Sequence, residues 1–240
     1  MYNTILTNYR MKLLNSGNSK TKKGEAKGYI TYGMHLSPAN KSGFNVCANA
    51  SKGCKAACLD TAGRGIMSNV QTARINKTLL FFKERQTFLD MLWKEIESSI
   101  KSATRKAMTP CFRLNLTSDI PWHKIKNAGE TVLDAFKGVQ FYDYTPDPKR
   151  FTSYLAGDLP SNYHLTFSRK EDNELLCDSL FASGGNIAAV FRNQLPQSWK
   201  GRTIVDGDED DLRFLDPKNV VVGLVEKGLA KKDNTGFVIG

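Results

Sequence analysis

The sequence predicts an α/β protein on a mostly parallel sheet, either open or curled into part of a barrel. Three observations carry this. Short β-forming runs recur along the chain, helical stretches separate them, and each run ends in a polar or charged residue. The first 28 residues are polar, with Asn, Ser, Gly and Lys concentrated at 14–24, and read as a draped or mobile arm. Residues 29–36 alternate and are rich in β-formers, so they read as the first strand. Ser37-Pro-Ala-Asn-Lys-Ser-Gly43 breaks that strand. A cysteine loop follows.

Two helices come next. Residues 68–83 carry Val70, Ala73, Lys77, Leu80 and Phe81 in helical register. From Thr87, which suits an N-cap, Phe88, Leu89, Leu92, Trp93, Ile96 and Ile100 form an apolar stripe, with Asp90 in the first turn. Strands are then expected at 111–115, 139–144, 163–168, 186–191, 203–206 and 220–225. Helical stretches fit near 129–136 and 172–182. The expected organisation is an arm at 1–28 and one α/β domain at 29–240 that carries the cysteine loop.

The net charge is +10, and it is unevenly spread: residues 1–110 hold 18 Lys/Arg against 6 Asp/Glu, and the remainder 16 against 18. A positive half attracts an acidic small molecule or a nucleic acid, and it favours thiolates. No apolar run reaches the length of a membrane span, and residues 1–7 lack a secretory layout, so a cytosolic protein with no membrane partner is expected.

The polar strand ends gather several side chains. Asn115 is followed by Ser118 and Asp119, Asp143 closes the next strand, Ser168 the next, and Arg192 follows Phe191. Parallel sheets bind ligands at the C-terminal ends of their strands, so these six residues are the pocket candidates. The acidic run Asp206-Gly-Asp-Glu-Asp-Asp211 reads as a solvated loop, with a hard-cation site as the alternative.

Cys47, Cys54 and Cys58 sit within twelve residues in a C-x6-C-x3-C pattern, and the chain has only five cysteines. Zinc sites usually pair close cysteines with a second Cys or His pair, and none follows here. Three close thiolates with no obvious fourth partner suit a [4Fe-4S] cluster with one iron left open. Cys111 and His35 are the candidates for a fourth ligand. Cys177, on an apolar helix face, reads as an inert buried thiol.

Several segments carry a family resemblance. They include Gly53-Cys-Lys-Ala-Ala-Cys-Leu-Asp-Thr-Ala-Gly-Arg64, Arg113-Leu-Asn-Leu-Thr-Ser-Asp-Ile-Pro-Trp122 and Val205-Asp-Gly-Asp-Glu-Asp-Asp211. They resemble the gene product 88-like proteins of bacteriophages, from about residue 12 onward. That resemblance implies a phage protein made in the host bacterial cytoplasm. The order of a strand, a three-cysteine loop and then βα units is similar to radical S-adenosylmethionine enzymes. Those enzymes hold a [4Fe-4S] cluster on a partial (βα)6 TIM-like barrel. This resemblance implies Cys47, Cys54 and Cys58 as cluster ligands, S-adenosylmethionine as a cofactor and an electron donor as a partner. Their spacing is C-x3-C-x2-C, and their Gly-Gly-Glu stretch is replaced here by Asn115-Leu-Thr-Ser-Asp119.

Two functions are therefore expected as alternatives. One is an iron–sulfur enzyme acting on a small molecule or nucleotide, its pocket lined by the six strand-end residues. The other is a nucleic-acid-binding protein whose cluster is structural or redox-sensing, supported by Lys20, Lys22, Lys23, Lys27, Lys52, Lys55, Arg74, Lys77 and Lys83. A zinc-stabilised interaction module is a third option and needs a fourth ligand.

Overall fold

A ten-stranded, mostly parallel sheet organises the molecule, whose computed structural model describes residues 11–240. In chain order the elements begin with β1 (Leu14–Asn15), α1 (Ser19–Lys22), β2 (Tyr29–Met34) and α2 (Lys52–Ala56). The helices α3 (Ser68–Lys83) and α4 (Arg85–Arg105) lead to β3 (Thr109–Arg113), a small hairpin of β4 (Lys126–Asn127) and β5 (Glu130–Thr131), and α5 (Val132–Ala135). Then come β6 (Gln140–Thr145), α6 (Pro148–Leu155), β7 (Tyr163–Ser168), α7 (Glu174–Ala182) and β8 (Ile187–Phe191). The chain ends through β9 (Ser198–Trp199), β10 (Arg202–Asp206), β11 (Val221–Val225) and β12 (Val238–Ile239).

The sheet order is β1-β2-β3-β6-β7-β8-β11-β10-β9, with β12 also on β8 and β4-β5 apart. From β2 to β8 each new strand lies parallel beside its predecessor. Right-handed crossovers that always step in one direction put their helices on one face. That is the winding of a barrel wall, but the path ends at antiparallel β1 and β9 and does not close. The fold is an open sheet.

Alternation along the strands separates the two faces. Ile30, Tyr32, Met34, Phe112, Phe141, Leu165 and Phe167 are buried in the main core with Phe81, Phe88, Leu92, Ile96 and Phe151 from the helices. Tyr32, Phe112 and Phe141 stack in a row at 5.5 and 5.4 Å between ring centres. Burying this many aromatic and branched side chains supplies the main driving force for the layered arrangement. The helix α4 starts at Arg85, two residues before the expected cap, and buries Phe88, Leu89, Leu92 and Ile96.

The opposite face is polar and is covered by the arm and by residues 207–216. Thr31 and Cys111 are neighbours there, and the Thr31 hydroxyl lies 3.0 Å from that of Tyr142. Tyr142 donates to Asp211 at 3.1 Å. Arg113 donates to both Asp211 oxygens at 2.9 and 3.0 Å, and Lys20 lies 3.4 Å away. Arg213 pairs with Asp210, which also accepts from Lys27 at 2.6 Å. The Arg113 and Lys20 charges help hold the Asp211 carboxyl below the usual range against the effect of burial.

This network corrects two expectations. The acidic run is not wholly solvated: Asp210 and Asp211 are buried, because the basic arm comes back to pair with them. Residues 11–28 are likewise part of the fold. Leu13 and Leu14 sit in the core, and β1 pairs with β2. Residues 1–10 of the expected arm lie outside the described residues. On α3, Lys77, Leu80 and Phe81 of the expected stripe are buried, but Ala73 is exposed and Arg74 is buried in its place. Arg74 pairs with Asp60, and Lys77 donates to the Leu13 carbonyl at 2.9 Å. Two of the cations assigned to a nucleic-acid face thus point inward.

Candidate metal centre

The cysteine loop is tied at three places, two on the C-terminal rim of the sheet and one on α3 and the segment after β2. Beyond β3, the Asp119 amide donates to the Val46 carbonyl at 2.8 Å, and the Cys47 thiol lies 3.9 Å from the Thr117 carbonyl. Beyond β7, Glu171 accepts from the Ser51 hydroxyl at 2.7 Å and from the Gly53 amide at 2.8 Å, while Lys170 donates to the Asn49 carbonyl at 2.9 Å. The third tie is Asp60, fully buried, which takes Lys41, Arg74 and Gln71. Ser51 also caps α2 by accepting from the Cys54 amide at 3.1 Å, as a serine before a helical turn does.

Gly53 shows how tightly the loop is seated. A Cβ there would lie 2.3 Å from Thr235 Oγ1, 2.7 Å from Glu171 Oε2 and 2.7 Å from Phe237 Cβ. Gly53→Ala is therefore expected to lift α2 off the rim, at a cost of about 1–3 kcal/mol in stability. Denaturant melts of the variant against wild type check this; unchanged stability would mean that the contact yields freely.

All three loop thiols are partly buried and free. Burial pushes Cys47 up to about 11 and Cys54 up to about 12, and raises Cys58 as well. Cys58 adds to the rise at both other thiols, and Cys47 adds to it at Cys54, so the three lie within electrostatic reach of one another. Lys170, Lys55, Lys41 and Arg74 oppose the rise from around the loop. Buried thiols of this kind ionise when cationic metal arrives, and release protons as they do. Among the described residues, no three His, Cys, Asp or Glu side chains converge on the position of a single metal ion.

The fourth-ligand candidates divide. Cys111 is fully buried on the polar face against Thr31, Tyr142 and Leu212, apart from the rim loop. His35 follows β2, and burial with the charges of Arg74, Lys77 and Arg113 lowers it to about 3. It is neutral at physiological pH, the state a ligating imidazole requires. Cys177 is buried in α7.

The six strand-end candidates also divide. Asn115, Ser118, Asp119 and Asp143 come together, but in a buried hydrogen-bonded group. Asp143 accepts from the Asn115 amide and side chain at 2.8 and 3.0 Å and from Tyr163 at 3.0 Å. The Asn115 carbonyl oxygen takes the Ser118 hydroxyl at 2.8 Å, and Asp119 pairs with Arg150 at 2.8 Å. Burial raises Asp143 to about 7 and Asp119 to about 6. This group braces the segment under Cys47. Ser168 accepts at its carbonyl from Asn173. Arg192 binds the carbonyls of Gly240, Lys231 and Asp233, and so ties the C-terminal segment beside β8.

The residues that hold the loop, Gly53, Asp60, Lys170 and Glu171, were not among the sequence candidates. Two of them left a trace. Glu171 lies three residues past a strand end, and Asp60 is one of two carboxylates in residues 1–83. A cleft of about 660 Å³ opens beside the loop, lined by Asn49, Pro146, Lys170, Glu171 and Glu174 among others.

Together these features define an α/β protein with an open, mostly parallel sheet and a three-cysteine loop at its C-terminal rim. Residues 11–240 match the family model described as Gene product 88, and the chain belongs to that phage-associated family. No curated protein and no solved structure matches it. No helix of the described residues is long and apolar enough to cross a membrane.

Proposed function

We propose that this is an iron–sulfur protein in which Cys47, Cys54 and Cys58 hold a [4Fe-4S] cluster that works on a small molecule at the sheet rim. The observation that carries the reading is the gathering of three free, half-buried thiols on one short loop that Glu171 and Lys170 anchor at the sheet rim. A cluster bound there supplies one-electron chemistry and one iron that the cysteines leave free. The chain's own part is positioning. Glu171 and Lys170 fix the loop over the ends of β6 and β7, and the Asn115–Asp143 group fixes the segment beneath Cys47.

The ligand proposed for the adjacent cleft is a zwitterion such as the amino acid end of S-adenosylmethionine, which would have to exchange into existing pairs: Lys170 meets Asp172 at 3.1 Å, and Glu174 meets Arg169 at 2.7 Å. Adding S-adenosylmethionine to the reduced protein is expected to shift its electron paramagnetic resonance spectrum. An unshifted spectrum at saturating concentration would remove that ligand; the absence of any iron signal would remove the cluster.

The nucleic-acid alternative loses part of its support from the fold. Lys20 and Lys27 pair with Asp211 and Asp210, and Arg74 and Lys77 are buried. Polyanion binding needs cations that are free to meet phosphates.

A further inference from the structure

Residues 18–27 lie over the polar face of the sheet as a separate piece. They comprise α1 and the 3₁₀ turn Lys23–Lys27, with Gly17 before and Gly28 after. Both ends are fixed. Leu14 and Asn15 pair with β2, and the Gly28 carbonyl accepts from the Thr109 amide at 2.9 Å. Gly28 has a φ of 80°, a left-handed turn that glycine adopts freely, and a Cβ on Gly17 would meet nothing within 4 Å. The piece between reads Asn-Ser-Lys-Thr-Lys-Lys-Gly-Glu-Ala-Lys, with no apolar side chain larger than alanine. Within it only Thr21 and Gly24 are buried. Charge holds this piece down, not a core of its own.

Its polar contacts share one design. Lys20 lies 3.4 Å from Asp211, Lys27 donates to Asp210 at 2.6 Å, and Lys23 donates to the Asp208 carbonyl at 2.7 Å. Each of these aspartates has a second cation from the body of the protein. Arg113 meets Asp211 at 2.9 Å, Arg213 meets Asp210 at 3.1 Å, and Lys227 meets Asp208 at 2.6 Å. Lifting residues 18–27 therefore leaves no buried carboxylate of this group without a counter-charge. The lysines pass to water, which the Lys27 side chain already meets at 50 % exposure and Lys20 at 23 %. A segment with few apolar contacts and replaceable ion pairs belongs to the part of a fold that opens first.

We propose that residues 18–27 are a hinged lid that swings off the polar face while the sheet stays folded, and that ionic strength sets how often it opens. Gly24 rests on Leu212, where a Cβ would come 3.2 Å from Leu212 Cδ2. Leu212 in turn packs with the fully buried Cys111 and Tyr142. Lys20 stands 5.8 Å over the Tyr144 ring, and Arg113 lies against the same ring at 4.4 Å. The open lid uncovers this face, with Cys111, Arg113 and Tyr144, to small solutes. The motion does not depend on what the cysteine loop binds.

The test uses the full chain and iodoacetamide, with modification at each cysteine followed over time by mass spectrometry. Cys111 reports on the lid. Cys177, buried in the main core from α7, reports on loss of the sheet's packing. When reclosing outpaces labelling, each rate tracks its open population. Lys20→Gln/Lys27→Gln is expected to speed labelling of Cys111 about tenfold. Raising salt from about 0.05 to 0.5 M is expected to speed it about threefold in wild type. Cys177 should not change in either case. Lys101→Gln/Lys106→Gln removes the same charge from the exposed end of α4 and should leave Cys111 at its wild-type rate. A Cys111 rate indifferent to the lid variant or to salt, or raised equally by the α4 variant, would overturn the proposal. So would rates at Cys111 and Cys177 that rise together, because opening would then be unfolding.

Discussion

Asp211→Ala is expected to destabilise the protein by about 3–5 kcal/mol, a large share of the roughly 5–15 kcal/mol that holds a typical domain together. The carboxylate is 1 % exposed and carries both bonds from Arg113, one from Tyr142 and the charge of Lys20. Removing it leaves the Arg113 guanidinium buried without its counter-charge. Tyr142 keeps the Thr31 hydroxyl, so the loss falls mainly on the arginine. The pair itself is worth less than its disruption, because two charges were taken out of water to make it. The double replacement Arg113→Met/Asp211→Leu should therefore be more stable than Asp211→Ala alone. Urea melts of the three proteins decide this. A loss below about 1 kcal/mol in the single variant would mean that the network on the polar face is incidental.

The second large effect concerns the thiols. Cys54→Ala is expected to leave the fold intact and to empty the protein of iron. Its amide, not its sulfur, donates to the Ser51 hydroxyl, so α2 keeps its cap. A small side chain at a half-buried position removes one of the three proposed cluster ligands without disturbing the sheet. Two cysteines cannot replace three at such a centre. Circular dichroism should match wild type, while iron per chain falls from about four to near none. Full iron retention in the variant would show that Cys54 is not a ligand. The same result for Cys111→Ala is not expected, because that thiol is buried beside Tyr142 on the polar face.

The sheet was legible because its strands are short β-forming runs bounded by polar and turn residues. Expected strands at 163–168 and 139–144 are found at Tyr163–Ser168 and Gln140–Thr145. The helix α6 was missed although its signal was present: Asp147 caps it and Pro148 stands at its first turn. Asp143 shares the parity of Phe141, so it faces the helix layer and ends in a buried group rather than an open pocket. Closure of the sheet was not legible, because it depends on how the last strands pair. The interior position of Asp210 and Asp211 was not legible either. It depends on lysines at positions 20 and 27 meeting carboxylates almost two hundred residues away. Local composition carries no record of such a meeting.

The cysteine spacing gave the loop, but not what anchors it. Three thiols on one segment are visible to inspection; that Glu171 and Asp60 grip that segment is a tertiary fact. The proposed cluster needs both. One measurement reaches it most directly: iron and acid-labile sulfide in the full chain, purified without oxygen. About four of each per chain is the result this account predicts. Colourless protein carrying zinc, or no metal at all after reconstitution with iron and sulfide, would contradict it.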